Sequence, residues 1–193
     1  MIYLASGSPR RRELLTQIGC SFEVVKSDAD EIMDDALSPA ELVKANAASK
    51  AQAVASKLET SAAVLGADTV VALDGKIFGK PLDEADAARM LRALSGKKHE
   101  VYTGLAFVVN GETYTAAEGT LVEFRELTDE EIAEYIATGE PMDKAGAYAV
   151  QGFAAKFIPR IEGSFSNVVG LPLAAVDSLA RKAGADLYGH ARS

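Results

Sequence analysis

The chain opens with the stretch Ile2-Tyr3-Leu4-Ala5-Ser6-Gly7-Ser8-Pro9-Arg10-Arg11-Arg12, which combines a strand signal, a Ser/Gly turn and a helix start. Ser8 is a favourable N-cap residue, and Pro9 suits the first position of a helix. Leu14 and Ile18 then follow at the spacing of one helix face. This succession of strand, turn and helix is typical of α/β proteins and predicts that fold class for the chain.

Three arginines, Arg10 to Arg12, fill the first turn of this predicted helix. A helix N-terminus carries about half a positive charge and several unpaired N–H groups, so each cation there costs roughly a few tenths of a kcal/mol. A bound anion would remove the conflict, because a Gly/Ser turn that leads into a helix start is a common phosphate site. A solvated basic helix end is the alternative interpretation, and the full constellation favours the phosphate hypothesis.

The composition indicates one globular domain, which we expect to span residues 1–193. Hydrophobic residues make up 48% of the chain, which is enough for a packed core. The formal net charge of −8 disfavours binding to duplex nucleic acid or to an anionic membrane surface. Cys20 is the single cysteine and excludes an intrachain disulfide, and we recognise no membrane-length apolar run or secretory leader. We therefore expect a cytoplasmic protein.

Helix and strand signals alternate along the whole chain. Two capping boxes, Ser38-Pro39-Ala40-Glu41 and Thr128-Asp129-Glu130-Glu131, mark helix starts. Asp74-Gly75 and Asn110-Gly111 are favoured hairpin dipeptides, so we expect antiparallel pairs within a mixed sheet. The predicted strands cover residues 2–5, 22–25, 62–73, 76–78, 101–109, 113–124, 148–150 and 156–161, and the predicted helices cover 9–18, 38–58, 83–94, 128–139 and 173–183.

Asp68 is a candidate catalytic residue, because it interrupts the apolar strand Gly66-Ala67-Asp68-Thr69-Val70-Val71. A carboxylate is disfavoured in a strand and expensive to bury as an anion, so a cation should face it. Asp68 would then be a metal ligand or a general base, and a strand-end residue that caps a turn is the alternative. Glu31, in an acidic stretch that would otherwise be a solvated loop, is the candidate second carboxylate.

Lys50, Lys80 and Gln151 are candidates for binding an anionic ligand that carries a polar base. Lys50 belongs to the long second helix and Lys80 to a turn between Gly and Pro, although a single lysine is usually a surface residue. Gln151 follows a segment of small residues, and its amide both donates and accepts, which suits the edge of a base. His99 and His190, the two histidines, are too few for a His-metal site.

The chain lacks the Walker A and Gly-x-Gly-x-x-Gly motifs, so phosphate binding must use another architecture. Taken alone, the residues indicate an α/β domain that binds a polyphosphate together with a divalent cation. They do not distinguish an enzyme that hydrolyses the ligand from a protein that senses it.

Seven ordered motifs resemble those of the Maf family of nucleoside triphosphate pyrophosphatases, and together they span nearly the whole chain. The resemblance is specific because of the order and separation of the motifs rather than any single one. The motifs are Leu4-Ala5-Ser6-Gly7-Ser8-Pro9-Arg10-Arg11, Asp30-Glu31, Gly66-Ala67-Asp68-Thr69, Gly79-Lys80-Pro81, Leu94-Ser95-Gly96, Asp143-Lys144-Ala145-Gly146-Ala147-Tyr148 with Gln151-Gly152, and Val169-Gly170-Leu171-Pro172-Leu173.

The resemblance implies a Maf/inosine-triphosphatase-like α/β fold, in which helices flank a long mixed sheet and a cleft lies between two lobes. It also implies an enzyme, usually a homodimer, that hydrolyses a nucleoside triphosphate between the α and β phosphorus atoms. The implied products are a nucleoside monophosphate and pyrophosphate, and the implied cofactor is magnesium or manganese. The implied role is house-cleaning of the nucleotide pool.

Residue by residue, the resemblance implies roles for nine positions. Asp68 matches the proton acceptor, and Glu31 together with Asp68 matches the metal site. The matched polyphosphate contacts are Ser8, Arg11, Lys50 and Lys80, and the matched selectivity positions of the dTTP and UTP subgroup are Arg10, Thr69 and Gln151.

Two alternatives to a dTTP/UTP pyrophosphatase stay open from the sequence. The nearest is the related subgroup that acts on 7-methyl-GTP, although the segment 143–148 favours the pyrimidine side. The other is a non-catalytic nucleotide-binding regulator of cell division. The carboxylates argue against a regulator, because a pure phosphate binder has no need of acids that repel its ligand.

Overall fold

The structure of the protein is a computed structural model that describes residues 1–34 and 36–189. Strands and helices alternate along the chain. The strands are β1 (Ile2–Leu4), β2 (Phe22–Val24), β3 (Val64–Leu73), β4 (Lys76–Phe78), β5 (Lys98–Val109), β6 (Glu112–Glu123) and β7 (Arg160–Glu162). The α-helices are α1 (Pro9–Gln17), α2 (Pro39–Ala55), α3 (Glu84–Leu94), α4 (Asp129–Ala137), α5 (Phe165–Val169) and α6 (Leu173–Ala183). Short 3₁₀ segments cover Glu140–Asp143, Ala145–Ala147 and Phe153–Phe157.

The strands form one mixed sheet in the order β2-β1-β3-β5-β6-β7, and β4 pairs with β3 outside this path. β1 runs parallel to β2 and to β3, whereas β4 is antiparallel to β3 and β7 is antiparallel to β6. The register pairs Tyr3 with Val64 and Val71 with Phe78. The predicted α/β class, with a mixed sheet flanked by helices, is confirmed.

Both predicted hairpin turns are present. Asp74 and Gly75 connect β3 to β4 with φ angles of 51° and 74°, and Asn110 and Gly111 connect β5 to β6 with φ angles of 51° and 82°. Positive φ at both central residues is the geometry of a type I′ turn, which suits the right-handed twist of paired strands. The two predicted capping boxes also form, at the starts of α2 and α4.

The chain divides into two compact units. The first contains the described residues of the ranges Met1–Asp68, Thr103–Glu118 and 170–189, and the second contains Thr69–Tyr102 and Gly119–Val169. The single domain over residues 1–193 stays a prediction.

In the first unit, helix α2 packs directly against the backbone of two strands. A Cβ atom at Gly66 of β3 would lie 2.2 Å from the Ala47 carbonyl oxygen, and one at Gly104 of β5 would lie 2.2 Å from the Val43 carbonyl oxygen. Only glycine permits these distances, so the two glycines let the helix touch the strands. The core beside this contact consists of Ala5, Ala47, Ala51, Val54, Val64, Ala106 and Val108.

In the second unit, aromatic rings form the centre of the core. The ring of Phe124 lies edge-to-face with those of Tyr148 and His99, at centroid distances of 4.8 Å and 5.1 Å. Tyr135 and Phe157 form a similar pair at 5.5 Å. Such edge-to-face pairs add to the stability gained from apolar burial. Helices α3 and α4 contribute Ala87, Met90, Leu91, Leu94, Ile132 and Ile136 to the same cluster.

The prediction of a strand at residues 148–150 was wrong. This segment lies between the 3₁₀ segments Ala145–Ala147 and Phe153–Phe157. Its side chains are buried as those of a strand would be, but the Ala149 N–H donates to the Tyr135 hydroxyl. Of the predicted strand 156–161, only the last two residues belong to β7, and helix α5 has no counterpart among the predicted elements.

No helix within residues 1–34 and 36–189 has the length and apolar character needed to cross a membrane. Two residues named in the sequence analysis, Cys20 and His190, remain to be placed. Cys20 is a buried free thiol, and burial raises its pKa to about 11. His190 lies outside the described residues.

Candidate active site

Three charged side chains of the first unit meet at one nitrogen atom. Lys50 Nζ lies 2.6 Å from Asp68 Oδ1 and 3.0 Å from Glu31 Oε1. The Asp68 side chain is 10% exposed, whereas the Glu31 side chain is 54% exposed, so the ammonium group joins a buried carboxylate to one at the surface. The cation that the sequence predicts opposite Asp68 is therefore Lys50.

The packing of α2 on β3 brings Lys50 and Asp68 together. Gly66 and Asp68 lie two residues apart on β3 and share one face of the strand. A Cβ atom at Gly66 would lie 2.2 Å from the Ala47 carbonyl oxygen and 2.9 Å from the Ala51 nitrogen of α2. Because Lys50 lies between these two contact residues along the helix, its ammonium group is within reach of the carboxylate.

Asn46 holds the segment that carries Glu31. Its Oδ1 accepts the Ile32 N–H at 2.7 Å, and its Nδ2 donates to the Ile32 carbonyl oxygen at 3.2 Å. Asn46 is 3% exposed and lies one helical turn before Lys50, so the two side chains share a face of α2. Sequence reasoning missed Asn46, and the available signal was a carboxamide among the alanines of a buried helix face.

Arg11 binds backbone carbonyl groups on both sides of its guanidinium. Its Nε donates to the Gly170 oxygen at 2.8 Å, and its Nη1 donates to the Ala67 oxygen at 2.9 Å. Nη1 also donates to Ser6 Oγ at 3.1 Å. The guanidinium therefore ties the start of α1 to strand β3 at the residue that precedes Asp68.

Burial is the main influence on the acidity of Arg11 and lowers its pKa to about 10, although nearby Asp68 acts in the opposite direction. Arg11 is therefore still a cation at neutral pH. Ser8 occupies the predicted N-cap position of α1, but its side chain makes no capping hydrogen bond. Its N–H instead donates to Ser6 Oγ at 3.3 Å. Arg10, in the first turn, is partly buried.

The other three predicted binding residues belong to the second unit. Thr69 is partly buried on β3, whereas Lys80 and Gln151 are both exposed. Lys80 follows Gly79, whose carbonyl oxygen accepts the Gly146 N–H at 3.0 Å. The loop that carries Lys80 is thus bonded to the segment that leads towards Gln151.

Glu31 and Asp68 form a donor set that fits a divalent cation shared with a phosphate ligand. Mg²⁺ at nucleotide sites is usually held by one or two carboxylates together with substrate phosphates. One oxygen from each carboxylate lies within 3.0 Å of the same nitrogen, Lys50 Nζ. In the described part of the chain, no three or more His, Cys, Asp or Glu side chains are grouped to hold a metal ion. Ligand oxygens would therefore have to complete the coordination.

Comparison with known proteins identifies the family. Residues 1–183 match the family described as Maf-like protein. A dTTP/UTP pyrophosphatase from Pelotomaculum thermopropionicum is 52% identical over 185 residues, which cover 95% of this chain and 96% of that protein. A dTTP/UTP pyrophosphatase from Moorella thermoacetica is 50% identical over 190 residues, 97% of each chain, and one from Bacillus cytotoxicus is 54% identical over 171 residues, 89% of each.

A solved nucleoside-triphosphatase, or dITP/XTP pyrophosphatase, from Mycobacterium abscessus aligns with 95% of this chain and 94% of its own. Its TM-score of 0.45 and its 17% identity are too low to establish a shared fold. The family match over residues 1–183 and the relatives that are about half identical over nearly the whole chain are sufficient to identify the family. The chain belongs to the Maf family.

Proposed function

We propose that this protein is a metal-dependent pyrophosphatase that hydrolyses dTTP and UTP to the nucleoside monophosphate and pyrophosphate, in a house-cleaning role. The observation that carries this proposal is the buried Asp68 carboxylate, with Lys50 Nζ at 2.6 Å and the Arg11 guanidinium bonded to the adjacent Ala67 carbonyl. Such a group of one buried acid among cations suits hydrolysis of an anionic substrate. Relatives that share about half of its residues are named dTTP/UTP pyrophosphatase.

Asp68 is the proton acceptor in the proposed reaction. The oxygen of a water molecule attacks the α-phosphorus, and the bond from that phosphorus to the oxygen bridging to the β-phosphorus breaks. Its electron pair leaves with pyrophosphate, while the proton of the water passes to Asp68. General base catalysis of this kind contributes about 10²- to 10⁴-fold to a rate. Lys50 orients the Asp68 carboxylate through its contact with Oδ1.

The proposed phosphate contacts supply the positive charge that the leaving group requires. Negative charge moves onto pyrophosphate as the bond breaks, and fixed cations stabilise it best. Ser8 lies at the N-terminus of α1, where N–H groups and the helix dipole favour an anion. Arg11, Lys50 and Lys80 complete this set of contacts.

Glu31 and Asp68 would hold the magnesium or manganese ion, together with phosphate oxygens of the substrate. When bound, the ion would neutralise phosphate charge and polarise the phosphoryl group under attack. Lys50 donates to both carboxylates and so holds them near each other.

Base selection is assigned to Arg10, Thr69 and Gln151. The exposed amide of Gln151 can both donate to and accept from the edge of a pyrimidine. A site that hydrogen-bonds one base edge rejects a mismatched edge strongly, because the wrong base leaves polar groups unpaired. The ranking of substrates should therefore follow the base more than the sugar.

A nucleotide panel tests this function. The purified protein is incubated with dTTP, UTP, CTP, ATP, GTP or 7-methyl-GTP and with Mg²⁺ or Mn²⁺, and kcat/KM is measured for each. We expect dTTP and UTP to rank first and activity to disappear with EDTA. A preference for 7-methyl-GTP would move the protein to the other subgroup, and binding without any turnover would make it a nucleotide-binding regulator.

The proposal also includes the cellular compartment and the oligomeric state. A pool of free nucleotides and a single free thiol, Cys20, both fit the reducing cytoplasm. We also propose a homodimer, on the strength of the family pattern. Light scattering coupled to size exclusion would give about twice the chain mass of 20.3 kDa for a dimer.

A further inference from the structure

Gln151 lies at the corner of a tight turn in the second unit. The Gly152 N–H donates to the Ala149 carbonyl oxygen at 3.1 Å, which closes a four-residue turn over residues 149–152. The residue before Gln151, Val150, is 5% exposed, whereas Gln151 itself is exposed. The turn therefore exposes the carboxamide of Gln151 to solvent, while the residue before it is buried.

Tyr135 of helix α4 holds the first residue of this turn. Its hydroxyl accepts the Ala149 N–H at 3.1 Å and donates to Glu140 Oε1 at 2.8 Å. Tyr135 is 2% exposed, and its ring is packed edge-on against Phe157. The hydroxyl is thus fixed in place by the core of the unit.

Glu140 holds the residue that directly follows the turn, Phe153. Its Oε2 accepts the Phe153 N–H at 3.2 Å. A Cβ atom at Gly152 would lie 2.1 Å from the same oxygen, so the carboxylate rests against the α-carbon of Gly152. A side chain at this position would therefore have to displace the Glu140 carboxylate.

The donors to this carboxylate are the neutral Tyr135 hydroxyl and the Phe153 N–H. Burial, followed by the hydrogen bond to Glu140, raises the pKa of Tyr135, so its hydroxyl stays protonated and continues to donate. Hydrogen bonds to a charged acceptor are about twice as strong as neutral ones. The bond from the Phe153 N–H to Glu140, together with the bond from the Ala149 N–H to Tyr135, makes a stiff support for this short segment.

We propose that Tyr135 and Glu140 are positioning residues for base selection, which clamp the turn 149–152 so that Gln151 meets the base in one orientation. This inference rests on the proposed role of Gln151. An exposed side chain discriminates between bases only if its backbone is fixed, because a displacement of about 1 Å can cost about 10²-fold in rate. Neither residue touches the substrate.

The test compares Glu140→Gln and Tyr135→Phe with the wild type. Glu140→Gln replaces one acceptor oxygen by an NH₂ group, and Tyr135→Phe removes the hydroxyl but keeps the ring. The readout is the ratio of kcat/KM for UTP to kcat/KM for ATP, which a general loss of folded protein does not change. We expect each variant to lower this ratio by about tenfold or more, with little change for ATP.

Glu134→Gln is the matched control, because Glu134 is exposed on helix α4 and loses the same charge. It should keep the wild-type ratio. Thermal unfolding of each variant shows whether it folds, and Tyr135→Phe carries the test if Glu140→Gln does not. A double variant with Gln151→Ala should show no further loss from Glu140→Gln, because the two changes act through the same contact.

The outcomes separate this inference from the proposed function. A wild type without preference for UTP over ATP would contradict the proposed substrate, and the inference would fall with it. A wild-type preference that Gln151→Ala removes and both clamp variants retain would overturn the inference alone. An equal loss for UTP and ATP would also overturn it, since it would show that the clamp serves only the fold.

Discussion

Lys50 and Asp68 form an ion pair across the contact between helix α2 and strand β3, with Nζ 2.6 Å from Oδ1. The distance follows from the backbone, because Gly66 lets the helix touch the strand two residues before Asp68. Asp68, which is 7% exposed, is therefore paired with a cation although it is buried. The pair links the packing of the first unit to the chemistry proposed for it.

Asp68→Asn should lower kcat by about 100-fold or more, because an amide cannot accept the proton of the attacking water. The change preserves the shape of the side chain, and Lys50 keeps its contact with Glu31. We therefore expect the change in Tm to be too small to account for the loss of kcat. Steady-state turnover of UTP and thermal unfolding of the same preparation check both points.

Asp177→Asn is the control for this substitution, because it breaks a surface pair with Arg181 at 3.0 Å. Exposed pairs contribute little, so turnover and Tm should stay at wild-type values. Near-normal turnover of Asp68→Asn, or unfolding that accounts for its whole loss, would show that Asp68 is structural.

Gly66→Ala should destabilise the protein and slow turnover together. The new methyl group would meet the Ala47 oxygen at 2.2 Å, so helix α2 must move away from β3 and take Lys50 with it. Overpacking of this kind costs about 1–3 kcal/mol. Urea unfolding measures the first effect and kcat for UTP the second.

Gly79→Ala serves as the stability control, since a Cβ atom there has no neighbour within 4 Å. Its free energy of unfolding should match that of the wild type. If Gly66→Ala were equally silent, the close contact of α2 with β3 would not determine the position of Lys50.

Arg11→Ala should lower stability as well as activity. The sequence alone suggests that removing any arginine from the first turn of α1 relieves a charge conflict. In the structure, however, Arg11 donates to the Gly170 and Ala67 oxygens, and leaving such acceptors unpaired costs about 1–3 kcal/mol when they are buried. Arg12→Ala, at an exposed position of the same helix, should be neutral or slightly stabilising. Equal urea midpoints for the two variants would contradict this assignment.

His99 should make the second unit sensitive to acid. Burial lowers its pKa from 6.5 to about 4, so between these values the unfolded chain binds a proton that the folded chain does not. The free energy of unfolding therefore falls as pH drops through this window, by up to about 3 kcal/mol from this residue.

His99→Gln should flatten that dependence, because glutamine does not titrate and can still bond to the Tyr148 hydroxyl that His99 Nε2 contacts at 2.8 Å. Urea unfolding at pH 7 and at pH 4.5 gives the slope for both proteins. Parallel slopes would show that His99 contributes nothing to acid sensitivity.

The sequence predicted the elements whose signals are local. Capping boxes, hairpin dipeptides and the apolar spacing of the helices depend on neighbours in the chain, and the structure contains them. The error at residues 148–150 has a non-local cause. Apolar side chains there looked like a buried strand, but the Ala149 N–H is taken by Tyr135, a residue on another element.

The candidate site shows the same difference between residues with a local sequence signal and residues whose contacts are non-local. An acid in an apolar strand was enough to predict that a cation faces Asp68, and the structure identifies Lys50. Asn46 and Glu140 could not be found in this way, because their partners are backbone groups of segments that lie 13 or 14 residues away. The carboxamide among the alanines of α2 marks Asn46 as unusual, but it does not identify Ile32 as the residue to which Asn46 bonds.

Hydrolysis of UTP in ¹⁸O-labelled water tests the central claim directly, because the label reports which phosphorus is attacked. Phosphorus NMR and mass spectrometry then identify the labelled product. If water attacks the α-phosphorus, UMP carries one ¹⁸O atom and pyrophosphate carries none. Label in pyrophosphate, or release of orthophosphate with UDP, would contradict the account.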